Sequence, residues 1–343
     1  MTRRDFLYLT GAGAATAIAR PAAEARPGNA TVQHGRYKDI PSFVVETDLL
    51  RAEFVAIGGR MVSLLDKRLN HEFLFQRSET DYQRGAYDVP LTIPQSAGYD
   101  DMFPTIAECY NNEFPWNGIR MPDHGETWTL DWAVEKHSDA LVFSVHGVRL
   151  PYRLIREVTV PAANRLRMAY RLENLSPYSM PYLWAAHPML GLEERARILL
   201  PEECRIANVG NSLSGRLGKY GDQITWPNWT DSGGKRHDLS LIRSAHSNDT
   251  EAYYFTTPLA SGWCGLMYPS INRTLRIFFP VDTVPFMGVV LAEGVRNDGR
   301  FFAILEPCSV PYGRLDTAKL YTKKSNVPAR ETREWYIEFQ IEG

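Results

Sequence analysis

From residue 42 onward the chain is cut into short runs that alternate apolar with polar or small residues, each closed by Gly, Pro, Asn or Asp. Residues 42–46, 50–57, 60–65, 127–134, 141–146, 154–160, 165–172, 275–279, 286–291, 301–306 and 334–341 all have this form. A period of two places successive side chains on opposite faces of an extended strand, so a chain built mainly of such runs buries its apolar halves by packing sheet on sheet. In 154–160 and 165–172 alternate positions are charged or small, which marks strands with one solvated face. Helical periodicity with caps is almost absent, and Thr317 to Tyr321 is the one stretch that predicts a short helical turn. The expected fold is therefore all-β, a large antiparallel sandwich with few or no helices. No change of composition and no fixed-period repeat divides residues 26–343, which read as a single domain. Two irregular stretches rich in Pro and aromatic residues, 83–123 and 208–236, are long enough to be expected as rims of a functional site.

The charge balance is even, with 38 Lys and Arg against 40 Asp and Glu, and no basic block is available to track a phosphate backbone. Nucleic acid is not an expected partner. The 8 Trp, 17 Tyr and 15 Phe suit sheet packing, and their flat faces also suit the C–H faces of sugars.

The N-terminus reads as an address. Arg3 and Arg4 precede Phe6 and Leu7, an apolar stretch runs from Leu9 to Ala19, and Ala23-Glu24-Ala25 is a small-x-small cleavage site. The arrangement resembles a twin-arginine export signal, which predicts removal of residues 1–25, the export machinery as a transient partner, and a periplasmic or otherwise exported product. The apolar stretch is interrupted by Thr10, Gly11 and Gly13 and falls short of the about 18 residues a span needs, so no stable membrane association is expected. Cys109, Cys204, Cys264 and Cys308 show no C-x-x-C spacing and are expected as small buried hydrophobes, with no metal site implied.

Three segments carry polar residues that packing does not explain. His124, in Met121-Pro-Asp-His-Gly-Glu126, stands at a loop-to-strand junction where the following glycine lets backbone and ring approach a ligand, although a structural turn would look the same. His187 lies in the apolar run Pro181–Leu190; Pro188 is expected to end the ladder, leaving the ring at a strand end to face either a cleft or a hydrogen-bonded core. Glu306 ends the hydrophobic run from Phe302, where a carboxyl must be paired, solvated or protonated, and its pKa is raised toward that of a useful general base.

Taken in order, Gly58–Asp66, Gly98-Tyr-Asp-Asp101-Met-Phe-Pro104, Asp123–Glu126, Leu172-Glu-Asn174, His187-Pro188 and Leu305-Glu-Pro307 resemble the aldose 1-epimerase (galactose mutarotase-like) superfamily across nearly the whole chain beyond the signal. The resemblance implies an antiparallel β-supersandwich binding a mono- or oligosaccharide, and an isomerase that interconverts the anomers of an aldose without a cofactor. It implies Glu306 as catalytic base, His187 as catalytic acid and His124 as a sugar contact. Asp101 is a candidate sugar contact by its place in the motif, and the family's Arg-Asn sugar motif is not visible near Arg84. A non-catalytic carbohydrate-binding protein on the same scaffold, and a polysaccharide lyase or hydrolase relative, are the competing readings.

Overall fold

The computed structural model describes residues 30–92, 95–294, 299–320 and 325–343. The segment expected to be an export signal, residues 1–25, lies outside them. Two antiparallel sheets dominate. The larger has 12 strands. From one edge it runs Thr31–Tyr37, Ile40–Glu46, Leu50–Phe54, Met61–Asp66, Tyr99–Met102, Ala185–Gly191, Phe301–Cys308, Phe286–Glu293, Asp249–Phe255, Ile206–Ser212 and Gln223–Thr225, with His71–Glu72 paired to Met61–Asp66. The smaller has 8 strands, with Thr332–Glu342, Arg165–Asn174 and Tyr152–Ala162 at its centre. The fold is the expected all-β antiparallel sandwich. The helical turn predicted over Thr317 to Tyr321 falls on Leu315–Leu320, the one α-helix among the described residues, with Tyr321 outside them. No helix among them is long and apolar enough to cross a membrane. All four cysteines are buried and free.

Alternation explains how the sheets pack. Arg165–Asn174 buries every second residue, Leu166, Met168, Tyr170 and Leu172, and leaves Arg165, Arg167, Arg171 and Glu173 on the outer face. The central strands of the larger sheet behave differently. Tyr99–Met102 is buried at every position, and Ala185–Gly191 and Phe301–Cys308 at all but one terminal residue. One of their faces supplies Tyr99, Ala186, Leu190, Ala303 and Leu305 to the main core between the sheets. Against the other face lie Leu91, Ser96, Ile106 and His124 of the neighbouring irregular chain. That face carries two small apolar clusters separate from that core, one around Met102, Ala185 and Phe286, the other around Met189, Ile304 and Phe302.

Pro188 does not end its strand, contrary to expectation. Pairing with Tyr99–Met102 continues through Pro188↔Tyr99, so His187 sits in mid-strand. On the opposite side the ladder passes from Ala185↔Cys308 directly to Met189↔Ile304, and both Pro188 and Pro307 fall in that gap. Neither has an N–H to give to a ladder, so the interruption is confined to one side of the strand.

Candidate active site

The register of the larger sheet lines up one transverse row of side chains. His187 pairs with Asp100, Gly288 with Glu306, Tyr254 with Gly288, and Asn208 with Tyr254. Counting inward from Ala185↔Cys308 and Met189↔Ile304 puts His187 opposite Glu306. Asp100, His187, Glu306, Tyr254 and Asn208 thus stand side by side on the face away from the main core, with Gly288 as the one gap in the row. Cross-strand neighbours of this kind have Cβ atoms about 5 Å apart.

At one end, His187 Nδ1 lies 2.9 Å from Asp100 Oδ1, while Arg60, itself buried, donates to Asp100 Oδ2. Burial would raise the Asp100 pKa, but the Arg60 and His187 charges outweigh it and hold the carboxyl well below the usual range. Burial lowers the His187 pKa despite the pull of Asp100 in the other direction. Because Arg60 already neutralises Asp100, that carboxylate orients the imidazole without holding an imidazolium. Asp100 as acceptor fixes the proton of neutral His187 on Nδ1 and leaves Nε2 as a lone-pair acceptor.

Glu306 has the opposite surroundings. It is 1% exposed, its Oε1 has no hydrogen-bond partner among the described residues, and burial pushes its pKa up to about 8 against the hydrogen bond from Tyr254. Gly288 lets that tyrosine reach across the row. A Cβ at position 288 would lie 2.6 Å from Tyr254 Cε1 and 3.5 Å from Glu306 Cβ, so any side chain there would push the ring off the carboxyl. Beyond it, Asn208 Nδ2 donates to the Tyr312 hydroxyl at 2.6 Å.

His124 comes from the covering chain. Its φ is +59° and that of Gly125 is +70°, a pair of left-handed residues that turns the chain sharply. A Cβ at Gly125 would lie 2.1 Å from the Phe103 carbonyl oxygen, so only glycine allows the turn to seat here. His124 N–H donates to the Ile106 carbonyl and Glu126 N–H to that of Phe103, which clamps the turn to the chain just beyond the strand carrying Asp100. The His124 ring lies edge-on to His187, centroids 5.3 Å apart, and its Nδ1 is 2.7 Å from Asp123 Oδ2.

His124, His187 and Glu306 all line one cavity of about 230 Å³, together with Leu91, Ser96, Ile106 and Tyr254. Sequence reasoning therefore names three residues that converge. Asp101 does not join them. Strand alternation turns it to the core face, where it is fully buried and accepts from Tyr99 Oη at 2.9 Å, Trp184 Nε1 at 3.1 Å and an Arg156 guanidinium nitrogen at 2.9 Å. Its neighbour Asp100 is the acidic residue of the motif that faces the site. Leu91, Ser96, Met102 and Ile106 come from the 83–123 stretch expected as a rim, whereas no described lining residue comes from 208–236. Arg60, Asp100, Tyr254 and Gly288 were missed. A signal for Asp100 was present in the adjacent Asp pair of Gly98–Pro104, because neighbouring residues of a strand face opposite ways. A wider depression of about 500 Å³ lies against Ser144, His146 and Arg153 of the smaller sheet; its one acid, Asp131, is exposed and paired with Arg84.

Residues 41–211 match the family model described as aldose 1-epimerase. That stretch holds Asp100, His124 and His187; Glu306 lies beyond it. No curated protein matches the sequence. Among solved structures, a galactose mutarotase-like protein from Clostridium acetobutylicum aligns with a TM-score of 0.65 at 12% identity, covering 92% of this chain and 99% of its own. The galactose mutarotase related enzyme from Lactobacillus acidophilus aligns with a TM-score of 0.62 at 14% identity, covering 88% and 97%. A galactose mutarotase-like protein from Lactobacillus casei gives 0.61 at 16%, covering 88% and 100%. At these identities the likeness is one of fold.

Proposed function

We propose that this chain is an exported sugar isomerase of the aldose 1-epimerase type, and that His187 and Glu306 share the proton that opens and recloses the ring. The observation that carries this reading is their placement side by side on adjacent strands, facing one cavity. One group is a histidine depressed by burial, the other a carboxyl raised to about 8. Near neutral pH the pair holds one proton, on Glu306.

Anomer exchange needs little else. The hydroxyl and the ring oxygen are both bonded to C1, so an acid and a base on neighbouring strands reach both. His187 Nε2 takes the proton of the C1 hydroxyl, C1–O5 breaks as the carbonyl forms, and Glu306 delivers its proton to O5. The pair is then imidazolium and carboxylate. Rotation about C1–C2 presents the other face; Glu306 removes the O5 proton as O5 attacks C1, and His187 returns its proton to the carbonyl oxygen. The opening roles are the reverse of those expected from sequence, and the closing roles restore the starting state without a proton from solvent. His124, at the cavity wall, would hold a sugar hydroxyl.

The hydrolase reading needs a second carboxylate across the cleft. Glu306 is the one carboxylate among the described lining residues. Asp101 belongs to the core, and Glu126 is held by Tyr87, Tyr152 and two backbone N–H groups. A lyase built on a large helical domain is disfavoured by the described residues, whose one α-helix has 6 residues.

Anomer exchange of a panel of aldoses, followed by NMR, tests the proposal. Glu306→Gln is expected to lower the catalysed rate by about 100-fold or more while sugar binding survives. A wild-type protein that binds sugars but accelerates none of them would make it a carbohydrate-binding protein on this scaffold.

A further inference from the structure

The cavity does not end at the reacting pair. Alternate residues of the Phe301–Cys308 strand, Glu306, Ile304 and Phe302, line it in succession, and Arg300 continues the line. From Glu306 to Phe302 is four residues of extended chain, about 13 Å, which is longer than a pyranose ring. The neighbouring strands supply Met189 opposite Ile304, Val290 on its other side, and Ala292 beside Phe302. Thr250, paired with Ala292, stands at the far end with Arg300. Polar groups therefore mark both ends, and the floor between them is apolar. Met189, Ile304, Val290, Phe302 and Ala292 pack together with Phe75 as a cluster separate from the main core. Ser96, which also lines the cavity, has its hydroxyl donated to the Thr92 carbonyl.

This strip discriminates among substituents. A hydroxyl laid over it would leave water without finding a partner among the described residues of the strip, and a second sugar ring would bring several. An alkyl or acyl group would exchange water for close packing. We propose that the strip is a second subsite, and that the substrate is an aldose carrying an apolar substituent on the ring edge remote from C1. The substituent lies along Met189, Ile304, Val290 and Phe302 while the anomeric centre sits at His187 and Glu306. The proposal rests on the isomerase reading of that pair.

The test compares matched sugars with a free anomeric hydroxyl on the purified full chain. The set is D-galactose and D-glucose, their 4-O-butyl and 6-O-butyl ethers, and reducing disaccharides glycosylated at the same two positions. Anomer exchange is read by NMR as kcat/KM. At least one butyl ether is expected to exceed its parent and the matching disaccharide tenfold, equivalent to about 1.4 kcal/mol. Val290→Thr, nearly isosteric, is expected to bring that ratio toward one. Parent sugars or disaccharides handled as well as the ethers would overturn the subsite while leaving the isomerase intact. If no sugar is exchanged faster than in buffer, the isomerase reading fails. Saturation-transfer binding of the same set then decides the strip separately, and ethers that bind no better than their parents would end it.

Discussion

Asp100 and Asp101 are adjacent in one strand, both buried, both paired with arginine, and they serve different faces of the sheet. Asp101 is closed off: two hydrogen bonds from Tyr99 and Trp184 and an ion pair to Arg156 satisfy it. Arg156 is itself surrounded by aromatic rings, those of Trp132 and Phe143 lying 5.2 and 4.8 Å from its guanidinium carbon. Asp100 has one oxygen on Arg60 and the other on His187, whose far edge opens to the cavity. A charge compensated on all sides fixes architecture. A charge that passes its influence to a group facing open space tunes chemistry, and strand parity alone decides which aspartate has which task.

The largest test of this contrast is on the closed side. Arg156→Leu leaves Asp101 buried without its cation, and removing one partner of such a pair costs about 3–5 kcal/mol. Urea denaturation of wild type and variant measures it. Substitutions on the core face are expected to cost stability and leave the shape of the rate–pH profile unchanged. A variant as stable as wild type would show that Asp101 is held by its tyrosine and tryptophan partners alone.

The extent to which the sequence was readable follows the same division. Strand runs were legible because alternation is local, and so were His124, His187 and Glu306, each a polar residue in a stretch that packing left unexplained. The row joining Asp100, His187, Glu306 and Tyr254 was not, because it depends on the register of strands separated by tens of residues in the chain. Asp101 was chosen over Asp100 for the same reason, since a motif gives two adjacent acids and only the sheet tells which way each faces. Pro188 misled because a proline interrupts a ladder on one side only. Here the unpaired side is the one toward the Phe301–Cys308 strand, which carries a proline of its own, Pro307, in the same gap.

Asp100→Asn probes the open side and is the intermediate case. It removes the carboxylate that raises the His187 pKa and leaves Arg60 buried without its counter-ion, so both rate and stability fall. We expect exchange at neutral pH to drop by about 10- to 100-fold. The diagnostic lies in the pH profile. In the proposed mechanism the pair carries one proton, so the rate is expected to fall at low pH as His187 takes up a proton, below its ordinary 6.5, and at high pH as Glu306, raised to about 8, loses its own. Loss of Asp100 depresses His187 further and moves the acid limb to lower pH, while the upper limb stays in place. A purely structural aspartate would lower the amplitude and move neither limb.

The smallest effect, and the sharpest, is expected from Tyr254→Phe. The Tyr254 hydroxyl favours the carboxylate form of Glu306, so it partly offsets the burial that raises that group. Without it the folded-state pKa of Glu306 rises above about 8, and the basic limb of the profile moves upward. The acid limb, set by His187 two positions along the row, stays where it is. Because only one neutral hydrogen bond is lost, stability changes by about 1 kcal/mol and the rate at neutral pH by a few-fold. Asp100→Asn and Tyr254→Phe therefore move opposite limbs in opposite directions from opposite sides of the His187–Glu306 pair. If Tyr254→Phe instead shifted the acid limb, or neither, the carboxyl that ionises near 8 would not be Glu306, and the shared proton would have to be sought on another pair.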